Sequence, residues 1–354
     1  MAMVQELQGQ LQSHEMDIRG YYEEQQRLIA REAEAKQELV ESRRREARIT
    51  EECHEWRTLA ETRQQELAEA QSFLASPDNI AESDIVQTVR ALDAEIYQAV
   101  KRTAEGCRLR GGEADAAVLE RMNVLMGPTM AGLLHAFPPR EDDRIILEMA
   151  LQTTVTTYVA GVISSWIPSS GSSTNQAISS IYSRILRSES QAVAGRWRTL
   201  TRKYATSSSA VAKDQETRHV QRLMEDATTI LMVARVVSWD ESDLRGTFEI
   251  IVKAAMQMRR MIGEDVAGSE YEVFVEEQAK PFQPEVMIDE HAPRRKRQNR
   301  VGRPVVCALT LGLRRTERDN RSGSRGRLEV KTLVKPQVIL DTIVDDLGLV
   351  DDTK

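Results

Sequence analysis

Residues 3–75 contain no proline and glycine only at Gly9 and Gly20, and over this length apolar residues return every seven positions. With heptad position a at residue 4, the a series is Val4, Leu11, Ile18, Gln25, Glu32, Leu39, Glu46, Cys53, Ala60, Leu67 and Leu74. The d series is Leu7, His14, Tyr21, Leu28, Ala35, Ser42, Ile49, Trp56, Arg63 and Ala70. Fifteen of these 21 positions are apolar, without a skip. Three or four such heptads already argue a coiled coil. One helix of this length would run about 110 Å. It cannot bury its own stripe, so residues 1–75 are expected to self-associate, through a seam carried by Val4, Leu7, Leu11, Ile18, Tyr21, Leu28, Leu39, Ile49, Trp56 and Leu67. Polar seam residues such as Gln25, Glu32, Ser42, Glu46 and Arg63 weaken a coiled coil while fixing its register. A charge-rich single helix held by i,i+4 pairs is the alternative the sequence leaves open.

Ser76-Pro77-Asp78-Asn79 ends this element, because Pro77 drives the residue before it out of helical dihedrals. A second helix is expected from Ser83 or Asp84, either of which can cap it, with Ile85, Val89, Leu92, Ile96 and Val100 on one face. Helical spacing continues over 113–126, 143–166 behind an Asp142-Asp143 cap, 176–204, 211–237 and 242–262, broken by Gly127-Pro128, the Ser/Gly stretch 168–175, the polar residues 206–209 and Ser238-Trp239-Asp240-Glu241. Six amphipathic helices with short connections predict an α-bundle over residues 83–263. After Gly263 the period changes: Tyr271, Val273 and Val275 alternate with Glu272 and Phe274, and residues 305–313 and 328–340 read as strands. The predicted fold class is therefore mainly α: a long N-terminal coiled-coil helix, an α-helical bundle and a small C-terminal β-element. That element spans 264–345, as a hairpin with basic loops at 293–303 and 314–327, before an acidic, frayed tail at 346–354.

Composition sharpens this. The aromatic share is 5%, so the core must be aliphatic, which suits helices. The net charge of −7 predicts no general attraction to nucleic acid or anionic membrane. Residues 294–327 depart from it, with twelve arginines and lysines against Glu317 and Asp319. Cys53, Cys107 and Cys307 are far apart and odd in number, which excludes a disulfide framework or a zinc ribbon. The start, MAMVQELQGQL, lacks a secretory apolar core, so a reducing, intracellular setting, cytoplasmic or nuclear, is expected, and the sequon Asn320-Arg321-Ser322 then carries no sugar. Residues 149–167 hold no charge and have the length of a membrane span. Gln152, Thr153, Thr154, Thr156, Thr157, Ser164 and Ser165 make them too polar, and a buried core helix is expected instead.

Motifs that carry chemistry are missing. There is no Walker A loop, no G-x-G-x-x-G and no G-x-S-x-G elbow. His14, His54, His135, His219 and His291 are scattered without metal spacing, and Cys53-His54 are helix neighbours pointing about 100° apart. No catalytic residue, cofactor or metal is implied. In Gly195-Arg196-Trp197-Arg198 a guanidinium on an indole could recognise a ligand, but a core Trp with solvent-facing arginines is the plainer reading. Met224, Met232, Met256, Met258 and Met261 could line a plastic groove or fill the core. The basic cluster Arg294, Arg295, Lys296, Arg297, Arg300 and Arg303 could be a nuclear localisation signal or a phosphate-contacting patch, or could pair with the chain's own acidic surface. No aromatic residue is interleaved from 294 to 327, so base stacking is not indicated.

Four blocks, SDIVQTVRALDAEIYQAV at 83–100, AVAGRWRTLTRKY at 192–204, AKPFQPEVMIDEH at 279–291 and VVCALTLGLRR with TLVKPQVIL at 305–315 and 332–340, carry a resemblance. Over roughly residues 80–345 the chain resembles a set of uncharacterised proteins predicted from mushroom-forming fungi, which also place a coiled coil before a helical domain. The resemblance implies that architecture and transfers no activity or functional residue. The expectation is a non-enzymatic interaction or scaffold protein that oligomerises through residues 1–75 and engages an unidentified protein partner, with no membrane. A nuclear, nucleic-acid-associated protein using 294–327 is the alternative.

Overall fold

A computed structural model describes residues 2–74, 80–109, 116–137, 139–140, 144–168, 171–205, 209–291, 300–318 and 328–348. The chain divides into two compact units, residues 1–72 and 73–354. The first is a single helix, α1 (Ala2–Leu74), as the absence of proline allows. Every side chain described along it is exposed. Among the described residues it holds three ion pairs, Lys36–Glu32, Arg45–Glu41 and Arg63–Glu66. Exposed pairs of this kind contribute about 0.3–0.5 kcal/mol each, little against the cost of ordering 73 residues.

The second unit is built on α4 (Ile145–Ser164), the apolar helix of the sequence. It is long and apolar enough to cross a membrane, yet 72% of its apolar window is buried inside the fold. It packs against α2 (Glu82–Gly106), α3 (Ala116–Ala136), α7 (Ser209–Val233) and α8 (Glu241–Arg260). A helix that is apolar all round belongs at the centre of a bundle. The face predicted for α2, Ile85, Val89, Leu92, Ile96 and Val100, is fully buried in that core. α5 (Ser172–Ser188) and α6 (Gln191–Ala205) lie at the C-terminal end of α4, where Trp166, Tyr182 and Ala194 form a separate small core.

Several boundaries differ from the sequence expectation for local reasons. α2 starts at Glu82 behind Ala81, so Ser83 and Asp84 sit in its first turn rather than at its cap. Residues 176–204 are not one helix. The chain is extended at Glu189, and Ser190 restarts it by accepting the amide of Val193 through its hydroxyl. α5 also begins inside the expected Ser/Gly loop. α7 stops at Val233, Arg235 turns with φ 61°, and β2 (Val236–Ser238) pairs with β1 (Arg108–Leu109). α3 breaks at Gly127 (φ 79°), as Gly127-Pro128 predicts. Asp240 caps α8 through the amide of Asp243. The expected breaks at 76–79 and 206–208 and the Asp142-Asp143 cap lie outside the described residues.

The C-terminal β-element contains β3 (Glu270–Phe274), β4 (Ile288–Asp289), β5 (Val305–Ala308), β6 (Gly312–Arg318), β7 (Leu328–Val334) and β8 (Gln337–Leu340). Two long antiparallel segments, β5–β6 and β7–β8, form one ribbon that is kinked in the middle. One half joins β3 in the sheet β3-β6-β7, and the other joins β4 in the sheet β4-β8-β5. Each expected strand run is thus two strands. Residues 314–318, expected in a basic loop, belong to β6.

The kink explains the polar residues of the apolar helix. Leu309 and Leu311 fall between ladders, so their backbone groups need partners from elsewhere. The Leu309 carbonyl accepts from Gln152 (3.0 Å) and Thr156 (2.9 Å) of α4, and the Leu311 amide donates to the Asp93 carboxylate of α2 (2.9 Å). Across the ribbon, the Gln337 amide donates to the Thr310 hydroxyl. The β-element is therefore fastened to the bundle by side chains of α2 and α4. α9 (Ile343–Leu347) follows, so the acidic stretch is helical at its start rather than frayed, and residues 349–354 lie outside the described residues.

Candidate functional site

The seam residues of α1 are uncovered within the chain: Leu7 56%, Leu11 63%, Ile18 55%, Tyr21 74%, Leu28 58%, Leu39 52%, Ile49 60%, Trp56 70% and Leu67 58% exposed. The helix therefore carries an apolar stripe along its length, and the side chain of Val4 lies outside the described residues.

The basic cluster divides. Arg294, Arg295, Lys296 and Arg297 lie outside the described residues. Arg300 is buried at 5% exposure and bonded to Asp289 (2.6 Å) and to both carboxylate oxygens of Asp346. The hydrogen bond it donates to Asp346 leads the causes that hold its guanidinium above the ordinary value. Arg303 pairs with Asp341 at 2.8 Å. Arg314 is bidentate on Glu272, its cross-strand partner, and lies over the Phe274 ring. Arg315 reaches Glu82 and Glu317. Arg300 is thus engaged inside the fold, while Arg303 pairs with a carboxylate at the surface. Asp346, Asp341, Glu272 and Glu82 lie 38 to 233 residues from their arginines in sequence, so folding brings these counter-charges in.

A second arginine cluster was not expected. Arg198, Arg202 and Arg259 are 2%, 7% and 4% exposed, at the C-terminal end of α4. Arg202 donates to the carbonyls of Ile163 (3.2 Å) and Ser164 (3.1 Å). Arg259 donates to Ser165 (3.0 Å) and Trp166, and pairs with Glu264 at 3.1 Å. Arg198 donates to the carbonyls of Val266 (2.6 Å) and Ser269 (3.0 Å) and pairs with Glu270, which also accepts from the Tyr182 hydroxyl. The last carbonyls of a helix have no partner within it, and positive charge there is favoured by the helix dipole. Burial, reinforced by Arg259 and Arg198, pushes the Arg202 guanidinium down to about 9, and burial lowers Arg259 as well.

Aromatic rings close the cluster. Trp166 packs edge-on against Tyr182 and Trp197, Tyr182 stacks on Trp197, and Arg202 lies over the Trp166 ring at 5.1 Å. The close approach depends on two glycines. A Cβ on Gly195 would meet the Ala267 carbonyl oxygen at 1.8 Å, and one on Gly263, in the π-helical turn Met261–Asp265, would meet Arg202 at 2.5 Å. Chemically the cluster is a closure: its guanidinium groups bond to carbonyls and carboxylates of the fold. The solvent-facing placement expected for the arginine beside Trp197 is overturned at Arg198. The sequence signal was the glycine before it, the one residue that lets α6 approach a backbone carbonyl.

Other reactive groups are muted. Burial pushes the Cys107 thiol up to about 11 and Cys307 up to about 12, while Cys53 on the seam is exposed. The Tyr158 hydroxyl and His219 Nδ1 lie 2.7 Å apart. Burial raises the phenol to about 12, with Asp226 adding to it, and burial lowers His219, so both are neutral at pH 7. Met224 and Met258 are core. Met256 and Met261 line a shallow cleft of about 480 Å³ between α7 and α8, bridged by the Lys253–Glu216 ion pair at 3.3 Å. Among the described residues no group of three His, Cys, Asp or Glu could hold a metal ion. No family model, curated protein or solved structure matches the chain.

Proposed function

We propose that this protein is a non-enzymatic interaction protein that self-associates through α1 and presents the unit 73–354 to a protein partner. The observation that carries the reading is the uncovered stripe of the 73-residue helix. Burying a Leu or Ile side chain contributes about 2 kcal/mol, and the stripe repeats such residues over many turns. Among the described residues the three exposed ion pairs supply on the order of 1 kcal/mol, little beside the burial of the stripe. The enclosed arginine cluster, the neutral Tyr158–His219 pair and the buried thiols support a structural use of these groups rather than a catalytic one.

The test is the variant Leu28→Asp, Leu39→Asp, Ile49→Asp. Its mass by light scattering is expected to fall to that of one chain, 40.0 kDa, while the thermal transition of the second unit stays in place. An assembly that survives all three charges removes α1 as the means of association. The nucleic-acid alternative rests on arginines outside the described residues, because Arg300, Arg303, Arg314 and Arg315 are engaged by carboxylates.

A further inference from the structure

We propose that two copies of α1 pair antiparallel, in the register that sets Glu32 of one copy opposite Arg63 of the other. The proposal rests on the self-association reading and adds the partner, its direction and its alignment.

The seam charges decide. In a parallel, in-register pair every seam residue meets its own copy. Glu32 would face Glu32, Glu46 would face Glu46 and Arg63 would face Arg63, which makes three like-charge contacts in a buried seam. Reversing one helix makes a positions face d positions, so unlike residues can meet. One alignment brings Glu32 to Arg63, twice by symmetry. The same alignment matches Leu28 with Leu67, Leu39 with Trp56, Ala35 with Ala60, and Cys53 with Ser42; it overlaps the two copies over residues 21–74 and leaves Val4, Leu7, Leu11 and Ile18 beyond the end of the partner helix. Sliding by one heptad in either direction sets Glu32 against Trp56 or Ala70 and Arg63 against Gln25 or Leu39, and the charge match is gone; sliding by two pairs Glu46 with Arg63 but shortens the overlap to residues 35–74. Glu46 remains opposite Ile49 beside the two-fold axis, where its side chain must reach outward to water.

The flanking positions do not discriminate. A parallel pair collects Glu38–Arg43 and Glu52–Arg57 against the repulsive Arg31–Lys36. The antiparallel pair collects Arg31–Glu66 and Arg45–Glu52 against Lys36–Arg57. These rim pairs are exposed and individually weak, so the seam sets the direction.

The native thiols provide the readout. Cys53 lies on the seam and is exposed, while Cys107 and Cys307 are buried. In a parallel pair Cys53 meets its copy directly. In the proposed register the two Cys53 residues lie about 16 Å apart along the axis, beyond disulfide reach. Ser42→Cys places a thiol opposite Cys53 of the other copy, and the same 16 Å separation within one helix excludes an internal bridge.

The experiment measures the mass of the full chain, then oxidises native protein and the Ser42→Cys variant and maps the linked peptides. The proposal expects a dimer, no Cys53–Cys53 link in the native chain, and a 42–53 link in the variant. A dimer that links Cys53 to Cys53 overturns the direction and leaves self-association standing. A dimer that links at neither pair overturns the register, and a monomer overturns self-association itself. A charge swap provides an independent check. Glu32→Arg alone and Arg63→Glu alone are each expected to weaken the dimer about tenfold, and the double swap to restore it. Without recovery in the double swap the Glu32–Arg63 contact is ruled out.

Discussion

Asp93 couples the β-element to the proton concentration. It accepts the Leu311 amide at the ribbon kink, yet burial pushes its carboxyl from 3.8 up to about 7 against the lowering effect of that bond. The unfolded chain titrates near 3.8, so between about 3.8 and 7 the folded state holds the extra proton. Stability from this group is complete below that window and is lost as pH rises through it, at about 1.4 kcal/mol per unit of displacement. Urea midpoints of native protein at about pH 5 and about pH 8 should therefore differ in that sense, and Asp93→Asn, which keeps the acceptor and removes the charge, should reduce the difference. An unchanged difference in the variant assigns the pH dependence elsewhere. Arg259 makes the opposite point, that a buried charge is held by its partners. Arg259→Leu leaves Glu264 and the carbonyls of Ser165 and Trp166 without their donor, and should cost about 3–5 kcal/mol in a urea titration. Arg314→Ala removes an ion pair with Glu272 near the surface and should cost about 1 kcal/mol or less.

The elements differ in how far the sequence reveals them. α1 and the buried face of α2 are legible because a seven-residue or 3.6-residue period needs no tertiary information. The kinked ribbon is not, since residues 305–313 form one apolar run and the break is set by what Gln152, Thr156 and Asp93 reach for. The α5–α6 break is written in one residue, Ser190, whose capping role competes with a helical pattern that continues on both sides. The buried arginines were illegible because a guanidinium normally seeks water. Their burial depends on carbonyls at the end of α4, which no local pattern marks. The glycines separate cleanly. Gly195→Ala drives a Cβ into the Ala267 carbonyl and should cost about 3 kcal/mol, because the neighbour is backbone. Gly161→Ala meets open space in the interior of α4 and should stabilise by up to about 1 kcal/mol. Thermal denaturation of the two variants provides the comparison.

Across the molecule the charges are arranged in pairs of strongly different depth. Arginines of the basic C-terminal stretch are drawn onto Asp289, Asp341, Asp346, Glu272 and Glu82, so part of a concentration of positive charge in sequence becomes cross-links in space. The apolar surface is arranged the other way. The second unit buries its aliphatic residues around α4, while α1 leaves its own stripe open along 73 residues. Self-association is the central claim that follows. Sedimentation equilibrium of the intact, reduced chain at micromolar concentration tests it most directly. A self-associating α1 gives twice 40.0 kDa, falling towards 40.0 kDa on dilution. A mass of 40.0 kDa throughout that range would contradict it.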